Sequence, residues 1–266
     1  MHPPRSYSPS LLGVYQRCPR RYYHQYVVRV PRRTHDSQVV GINLHGALEV
    51  FYRQGGFRTG SPATAIAQLE SAWADTDFSS PEASAAARRD AVTMLAAYLD
   101  AEAAAPPGET LMVEQRLKAT VEGIPLRGIV DRVDRQANGE LVLVDYKSGH
   151  SDAQGLPPGT LLQLAVYRQL IARSALGQPP DRVVLASLRG GNRDIMLSAQ
   201  AWDEALQQAL DLARQLAADD DFVARPAASC VFCDYQHRCV PWLQTTAAEL
   251  PGAEGPVVTA EAPSQS

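Results

Sequence analysis

Two aspartates and a lysine in the middle of the chain have the types and spacing needed to bind a divalent cation. Asp145 and Lys147 follow the aliphatic run Leu141–Val144, and Asp131 lies in segment 127–134, which the sequence predicts to be the preceding strand. Side chains alternate along a strand, so Asp145 and Lys147 project on one side. Paired carboxylates suit Mg²⁺ or Mn²⁺, and a lysine beside them can orient an attacking water and offset phosphate charge. The alternative is an ion pair at a strand end.

The turn between the two segments decides whether the aspartates can share one cation. A two-residue Asn138-Gly139 loop pairs residues whose numbers sum to 277, which sets Asp131 opposite Tyr146. A shared site requires an even sum such as 276, with Asp131 opposite Asp145. The sequence therefore predicts a three- or five-residue loop or a bulge, with Gly139 at positive φ.

Four cysteines form a second candidate site. Three of them fall within ten residues of one another in a polar stretch, and the fourth lies near the other end of the chain. Disulfides are disfavoured in the cytosol, and four thiolates are the number that a closed zinc or iron–sulfur site needs. The spacing does not separate zinc from a [4Fe–4S] cluster. The four residues are Cys18, Cys230, Cys233 and Cys239.

Length and composition limit the class of protein. A chain of 266 residues can bury a sizeable core, and we expect one domain with an insertion rather than two domains. No run approaches the ~18 apolar residues of a membrane span, and the start lacks the apolar segment of a secretory signal. We therefore expect a cytoplasmic protein with no membrane contact.

Basic residues are concentrated near the start of the chain, although the net charge is −4. Six arginines between residues 17 and 33 are interleaved with tyrosines, a pattern typical of nucleic-acid contact and also of a solvated amphipathic face. The arginines are Arg17, Arg20, Arg21, Arg29, Arg32 and Arg33, and the tyrosines are Tyr15, Tyr22, Tyr23 and Tyr26.

Periodicity predicts the elements before the aspartates. Helices are expected over 9–26 with a break at Cys18-Pro19, over 39–54, and over 62–78 and 81–104, and a strand over 110–120. His45 on the second helix could be a hydrogen-bonded core residue or supply an imidazole to the metal site. Glu114 on the strand could be a further metal ligand or supporting acid, or an exposed carboxylate.

Periodicity also predicts the elements after the aspartates. Helices are expected over 160–176 and 198–218, with a strand over 182–188 joined to the Asp145 strand by a βαβ crossover and a short edge strand over 195–197. Residues 243–266 have the composition of a disordered tail.

Six motifs follow one another along the chain. They are Tyr-Ser-x-Ser-x-Leu-x-x-Tyr-x-x-Cys-Pro at 7–19, Gly41-x3-His45, Gly128-x-x-Asp131-Arg132, Asp145-Tyr146-Lys147-Ser148-Gly149, Gln163-x3-Tyr167, and Cys230-x2-Cys233-x5-Cys239. In this order they resemble the PD-(D/E)XK nuclease superfamily. The resemblance spans about residues 6–242 and is strongest to RecB-type nuclease domains with an iron–sulfur cluster, as in AddB and the CRISPR-associated Fe–S exonucleases. Val130 stands where the family name has proline.

The resemblance implies an α/β, restriction-endonuclease-like fold. A central mixed sheet is flanked by helices in a single nuclease domain over residues 1–242, with a helical insertion at about 56–108. The four cysteines would hold a [4Fe–4S] cluster, with zinc as the alternative, that joins the N- and C-terminal parts.

The resemblance also implies roles for the site residues. The metal would be bound by His45, Asp131, Asp145 and the carbonyl of Tyr146. Lys147 would act at the nucleophilic water. Gln163 and Tyr167 would support the site and contact the DNA strand.

The function expected from this resemblance is that of a metal-dependent DNA nuclease, an exonuclease acting on single strands or ends in repair or recombination. One alternative is a CRISPR adaptation nuclease that trims spacer ends for an integrase. Another is a non-catalytic DNA-binding subunit of a helicase–nuclease complex. The chain has no Gly-x4-Gly-Lys-Ser/Thr phosphate loop, so any helicase would be a separate partner.

Overall fold

The chain divides into two compact units. The structure is a computed structural model that describes residues 4–32, 34–149, 156, 159–189 and 191–244. The sheet unit comprises Met1–Gly13 and Arg33–Asp219, and the cysteine unit comprises Val14–Arg32 and Asp220–Ser266. The expectation of a single nuclease domain over residues 1–242 stays a prediction. The predicted tail lies outside the described residues apart from its first two positions.

A five-stranded mixed sheet forms the centre of the sheet unit, as predicted. The strands follow one another in chain order, and β3 and β4 are parallel while the other neighbours are antiparallel. The crossover between β3 and β4 runs through a helix, which is the predicted βαβ connection. The strands are β1 (Glu109–Val121), β2 (Ile124–Arg135), β3 (Leu141–Lys147), β4 (Arg182–Ser187) and β5 (Gly191–Asp194).

Helices cover both faces of this sheet. Three of them, α3 (Asp36–Arg53), α4 (Pro62–Ser71) and α5 (Pro81–Ala104), share one hydrophobic core with Val142, Val144 and Tyr146 of β3. On the other side, α6 (Thr160–Ala172) and α7 (Ala199–Ala218) pack on β2. Among the described residues, no helix is long and apolar enough to cross a membrane. The helices are α1 (Pro9–Arg17), α2 (Pro19–Tyr22), α3 (Asp36–Arg53), α4 (Pro62–Ser71), α5 (Pro81–Ala104), α6 (Thr160–Ala172), α7 (Ala199–Ala218) and α8 (Val240–Leu243).

The hairpin of β2 and β3 has the even register that a shared metal site requires. Arg132 pairs with Val144 and Arg135 with Leu141, so the paired numbers sum to 276. Gly139 adopts a φ of 88°, as predicted for this turn. This register places Asp131 opposite Asp145, one position beyond Arg132 and Val144, which form the last pair of the ladder between the two strands.

Three predicted elements differ from the structure. The helix predicted over 160–176 ends at Ala172. The helix predicted over 62–78 ends at Ser71, because Asn43 bonds both backbone groups of Ala74 and takes them out of any helix. The edge strand predicted over 195–197 is β5 at 191–194 instead. An edge strand that is exposed on both faces carries polar residues, so an apolar pattern does not locate it.

The cysteine unit is built on the predicted helix break. Cys18 is extended (φ −162°, ψ 115°) and is the N-cap of α2, which begins at Pro19. Tyr22 stacks on Phe222 at 5.8 Å between ring centroids, and Arg225 donates to the carbonyl of Gln16 at 2.8 Å. These contacts join the two segments of this unit.

Candidate active site

Three carboxylates form a row across the first three strands. The pairing of β1 with β2 matches Val113 to Arg132 and Gln115 to Val130, which sets Glu114 opposite Asp131. The register of β2 with β3 sets Asp131 opposite Asp145. Directly opposite residues project on the same face of a sheet. The acids therefore lie side by side on neighbouring strands.

His45 of α3 reaches this row from the side. Its Nδ1 lies 3.0 Å from Oε1 of Glu114 and 3.8 Å from Oδ1 of Asp131. One ligand atom from each of these three residues lies within 4.8 Å of the other two. Burial opposes the charged form of His45, but the hydrogen bond with Glu114 and the charges of the nearby acids outweigh it and raise the pKa of the imidazole.

Glu114 is the site residue whose predicted role was left open between a metal ligand or supporting acid and an exposed carboxylate. It has a φ of 44° within β1, an uncommon conformation for a residue other than glycine. A usable signal was present in the sequence, because Glu122-Gly123 ends in a glycine and has the length of a two-residue hairpin turn. A two-residue turn there pairs residues whose numbers sum to 245, and this sum sets Glu114 opposite Asp131.

Asp145 belongs to a second set of contacts on the same face. Nζ of Lys147 lies 2.6 Å from Oδ2 of Asp145, and the amide of Gln163 donates to Oδ1 at 3.2 Å. Gln163 also accepts from Lys147 at 3.3 Å and lies 3.0 Å from the hydroxyl of Tyr167. The structure therefore brings the four predicted residues into one network.

Gly128 explains why α6 can approach the sheet so closely. A Cβ atom at this position would lie 2.7 Å from Cε1 of Tyr167 and 3.1 Å from a methyl group of Leu170. The glycine of the Gly128-x-x-Asp131 motif therefore leaves room for the Tyr167 ring on β2. Gly41 has a related position on α3, because its Cβ would lie 3.2 Å from Oγ of Ser148.

Tyr146 lies between the two residues of the Asp-x-Lys motif and faces the other way. Its backbone nitrogen donates to Oδ2 of Asp131 at 2.8 Å, while its phenol lies in the buried core with α3 and α5. The role predicted for its carbonyl as a metal ligand stays a prediction.

The donor set suits a hard divalent cation. One imidazole and carboxylate oxygens are the ligands expected for Mg²⁺ or Mn²⁺. Burial, together with the charge of Asp145, raises the pKa of Asp131 to about 7. Burial also raises the pKa of Asp145 despite the nearby Lys147. A bound cation would stabilise the ionised form of both carboxyls.

The four cysteines line one cavity within the cysteine unit. All four are half-buried and free of disulfides. Burial raises the pKa of the Cys233 thiol. Arg17, Arg20 and Arg21 also line this cavity, so the arginines of the N-terminal segment could offset the charge of cysteine thiolates. Four sulfur donors are the number that zinc or an iron–sulfur cluster requires, but among the described residues no three cysteine sulfurs lie within 4.8 Å of one another.

No curated protein matches the chain significantly. The structure resembles that of a candidate exonuclease from Eubacterium rectale, with 13% identity, a TM-score of 0.55 and coverage of 88% of both chains. The crystal structure of SSO0001 aligns with 15% identity and a TM-score of 0.40 over 91% of this chain and 88% of that chain. The model of the PD-(D/E)XK nuclease superfamily matches residues 6–240. Since this match covers most of the sequence, the chain belongs to the PD-(D/E)XK nuclease superfamily.

Proposed function

We propose that this protein is a divalent-metal-dependent deoxyribonuclease that hydrolyses phosphodiester bonds in DNA. It would act as an exonuclease on single strands or at DNA ends, in DNA repair or recombination. The observation that carries the proposal is the meeting of His45, Glu114 and Asp131 beside the Asp145–Lys147 pair. Membership of the nuclease superfamily supports the same chemistry. The likeness in fold to a candidate exonuclease is consistent with action at ends.

The metal would be held by His45, Asp131, Asp145 and the carbonyl of Tyr146, with Glu114 as a further candidate ligand. When bound, Mg²⁺ or Mn²⁺ would supply Lewis acidity toward the phosphate. Lys147 is 30% exposed, so its ammonium can meet a substrate while Asp145 and Gln163 hold it in place. We assign it to orienting the attacking water and offsetting phosphate charge.

Gln163 and Tyr167 would hold the site in shape and contact the substrate strand. The side chain of Gln163 bridges Asp145, Lys147 and Tyr167, so it fixes the lysine relative to the acid. A nucleophile-orienting group has to be held closely in its working geometry. This arrangement supports a catalytic protein over the non-catalytic DNA-binding subunit, because the lysine is held by Asp145 and Gln163 and is still exposed enough to meet a substrate.

We further propose that the four cysteines bind a [4Fe–4S] cluster with a structural role, and zinc is the alternative. The support is their common cavity, which joins the start of α2 to the segment after Asp220. Closing a loop of more than 200 residues restricts the unfolded chain. Iron and sulfide content with broad absorbance near ~400 nm would identify the cluster, whereas a colourless protein with one zinc ion would exclude it.

A digestion series tests the activity. The full chain would be incubated with Mn²⁺ and DNA labelled at the 5′ or the 3′ end, as single strands, duplexes and circles. We expect loss of label from linear single strands or ends and protection of circles. Cleavage of circles would contradict the exonuclease, and absence of any cleavage by metal-loaded protein would contradict the nuclease. A matching RNA substrate would test whether the protein prefers DNA to RNA. Binding to a purified helicase would favour a role in repair, and binding to a purified integrase would favour CRISPR adaptation.

A further inference from the structure

Strands β2 and β3 are joined by side chains, not by the backbone ladder, where they reach the site. The described ladder between them ends at the pair of Arg132 and Val144. Beyond that pair, the backbone amide of Tyr146 on β3 donates to the side-chain carboxylate of Asp131 on β2 at 2.8 Å. On the opposite face, Nη1 of Arg132 donates to the phenol oxygen of Tyr146 at 2.9 Å. Both bridges therefore end on Tyr146.

Arg132 is itself held from three directions. It is 2% exposed, and its Nε donates to Asp134 at 2.9 Å. Its terminal nitrogens form an ion pair with Glu102 of α5, and its guanidinium lies 4.1 Å from the ring centroid of Tyr52 of α3. The bridge to Tyr146 is thus anchored to the helices behind the sheet.

The chain positions of these residues connect the rear of the sheet to its front. Arg132 directly follows Asp131, and Tyr146 lies between Asp145 and Lys147. Successive strand residues project on opposite faces. A contact that fixes Arg132 to Tyr146 behind the sheet therefore fixes the spacing of Asp131 and Asp145 in front of it.

We propose that Arg132 is a positioning residue that, together with Glu102, sets the separation of Asp131 and Asp145 through Tyr146. The inference rests on the proposed function only for the purpose of the separation between Asp131 and Asp145, which is metal binding and cleavage. It also gives α5, part of the predicted helical insertion, a direct part in shaping the site.

A purely stabilising role is a weak explanation for such a group. Burying a guanidinium costs desolvation energy, and replacing buried ion pairs with apolar residues is often neutral or stabilising. Bidentate geometry is the feature that a lysine cannot reproduce. The arrangement is therefore better explained by the geometry it imposes than by the stability it adds.

The test compares Arg132→Lys and Tyr146→Phe with Arg182→Met in the full chain. Tyr146→Phe removes only the phenol oxygen, so it tests the bridge even if Arg132→Lys does not fold. Arg182 is an exposed arginine of the same sheet, paired with Asp194, and is the matched control. The readouts are hydrogen exchange at individual backbone amides without metal, the Kd for Mn²⁺, and cleavage.

We expect exchange at the Tyr146 amide to quicken about tenfold in Tyr146→Phe, while the Leu143 amide is unchanged. The Mn²⁺ Kd should rise about tenfold, and Arg182→Met should match the wild type in both measurements. Uniformly faster exchange across the sheet, or a wild-type rate at Tyr146, would overturn the inference. Because exchange is measured without metal or substrate, a wild-type protein that cleaves nothing would contradict the proposed function and leave this result intact.

Discussion

Nδ1 of His45 lies 3.0 Å from Oε1 of Glu114, which joins an imidazole on α3 to a carboxylate on the edge strand β1. Either of two arrangements would use this contact. Glu114 could bind the cation together with His45, or it could orient the imidazole that does so. In both, the glutamate affects metal binding although it lies outside the Asp-x-Lys motif.

Glu114→Gln should therefore weaken Mn²⁺ binding about tenfold or more while leaving the fold intact. Titration calorimetry of the full chain measures the change. Glu122→Gln is the matched control, because Glu122 also has a positive φ but lies in the β1–β2 turn and pairs with Arg214. Equal Mn²⁺ affinity in the two variants would remove Glu114 from the site.

The strand register at the site could be predicted from sequence, because the position and length of a hairpin turn determine which residue numbers pair across it. The requirement that Asp131 meet Asp145 predicts an even register with Gly139 at positive φ, and both are found. The same counting from the Glu122-Gly123 turn would have placed Glu114 beside them. Register is strongly specified wherever one face of a strand is buried.

Other features depend on contacts between distant parts of the chain. The end of α4 is set by Asn43, which lies 31 residues from Ala74. The helix propensity of the residues around Ala74 does not indicate this distant partner. The position of β5 depends on pairing with β4 rather than on its own polar residues. The acids that hold Arg132 likewise come from α5 and β2, so periodicity alone did not bring them together.

Lys147→Ala should lower the cleavage rate at least about a hundredfold while DNA binding persists, because it removes the group that orients the water and offsets phosphate charge. Rates on an end-labelled single strand and binding by fluorescence anisotropy measure the two effects. Lys118→Ala is the matched control, since Lys118 is exposed on β1 and is the only other lysine in the chain. A Lys147→Ala protein that cuts at the wild-type rate would show that the active site has been misassigned.

Metal-free stability should depend on pH through Asp131. Burial and the charge of Asp145 raise the pKa of this carboxyl from 3.8 to about 7, so the folded state holds its proton more tightly than the unfolded chain. The stability from this group is fully present below pH 3.8 and is lost as pH rises to about 7. Mn²⁺ binding, which needs the carboxylate, should strengthen over the same range.

Thermal unfolding in chelator between about pH 5 and pH 8 measures this dependence. Asp131→Asn should flatten the profile, and Asp194→Asn, at an exposed aspartate paired with Arg182, should not. Identical profiles for Asp131→Asn and the wild type would show that this carboxyl titrates near its ordinary pKa.

Cys18→Ser should destabilise the cysteine unit by removing one of four sulfur donors. If the cysteines hold a common metal group, loss of one ligand lowers its occupancy and also releases the restraint between α2 and the segment after Asp220. We expect lower iron content and a midpoint of thermal unfolding reduced by about 5 °C or more. A folded variant with wild-type metal content and melting temperature would exclude Cys18 as a ligand.

Gly128→Ala should displace Tyr167 and destabilise the protein by about 1–3 kcal/mol, because the added methyl would meet the ring at 2.7 Å. Since Tyr167 contacts Gln163, and Gln163 contacts Lys147, cleavage should fall by more than the loss of folded protein explains. Gly13→Ala is the control, because nothing lies within 4 Å of a Cβ there and alanine favours the α1 helix. Chemical unfolding and the cleavage rate at a temperature where both variants are folded separate the two effects. A Gly128→Ala protein with unchanged stability would show that the sheet and α6 can move apart without cost.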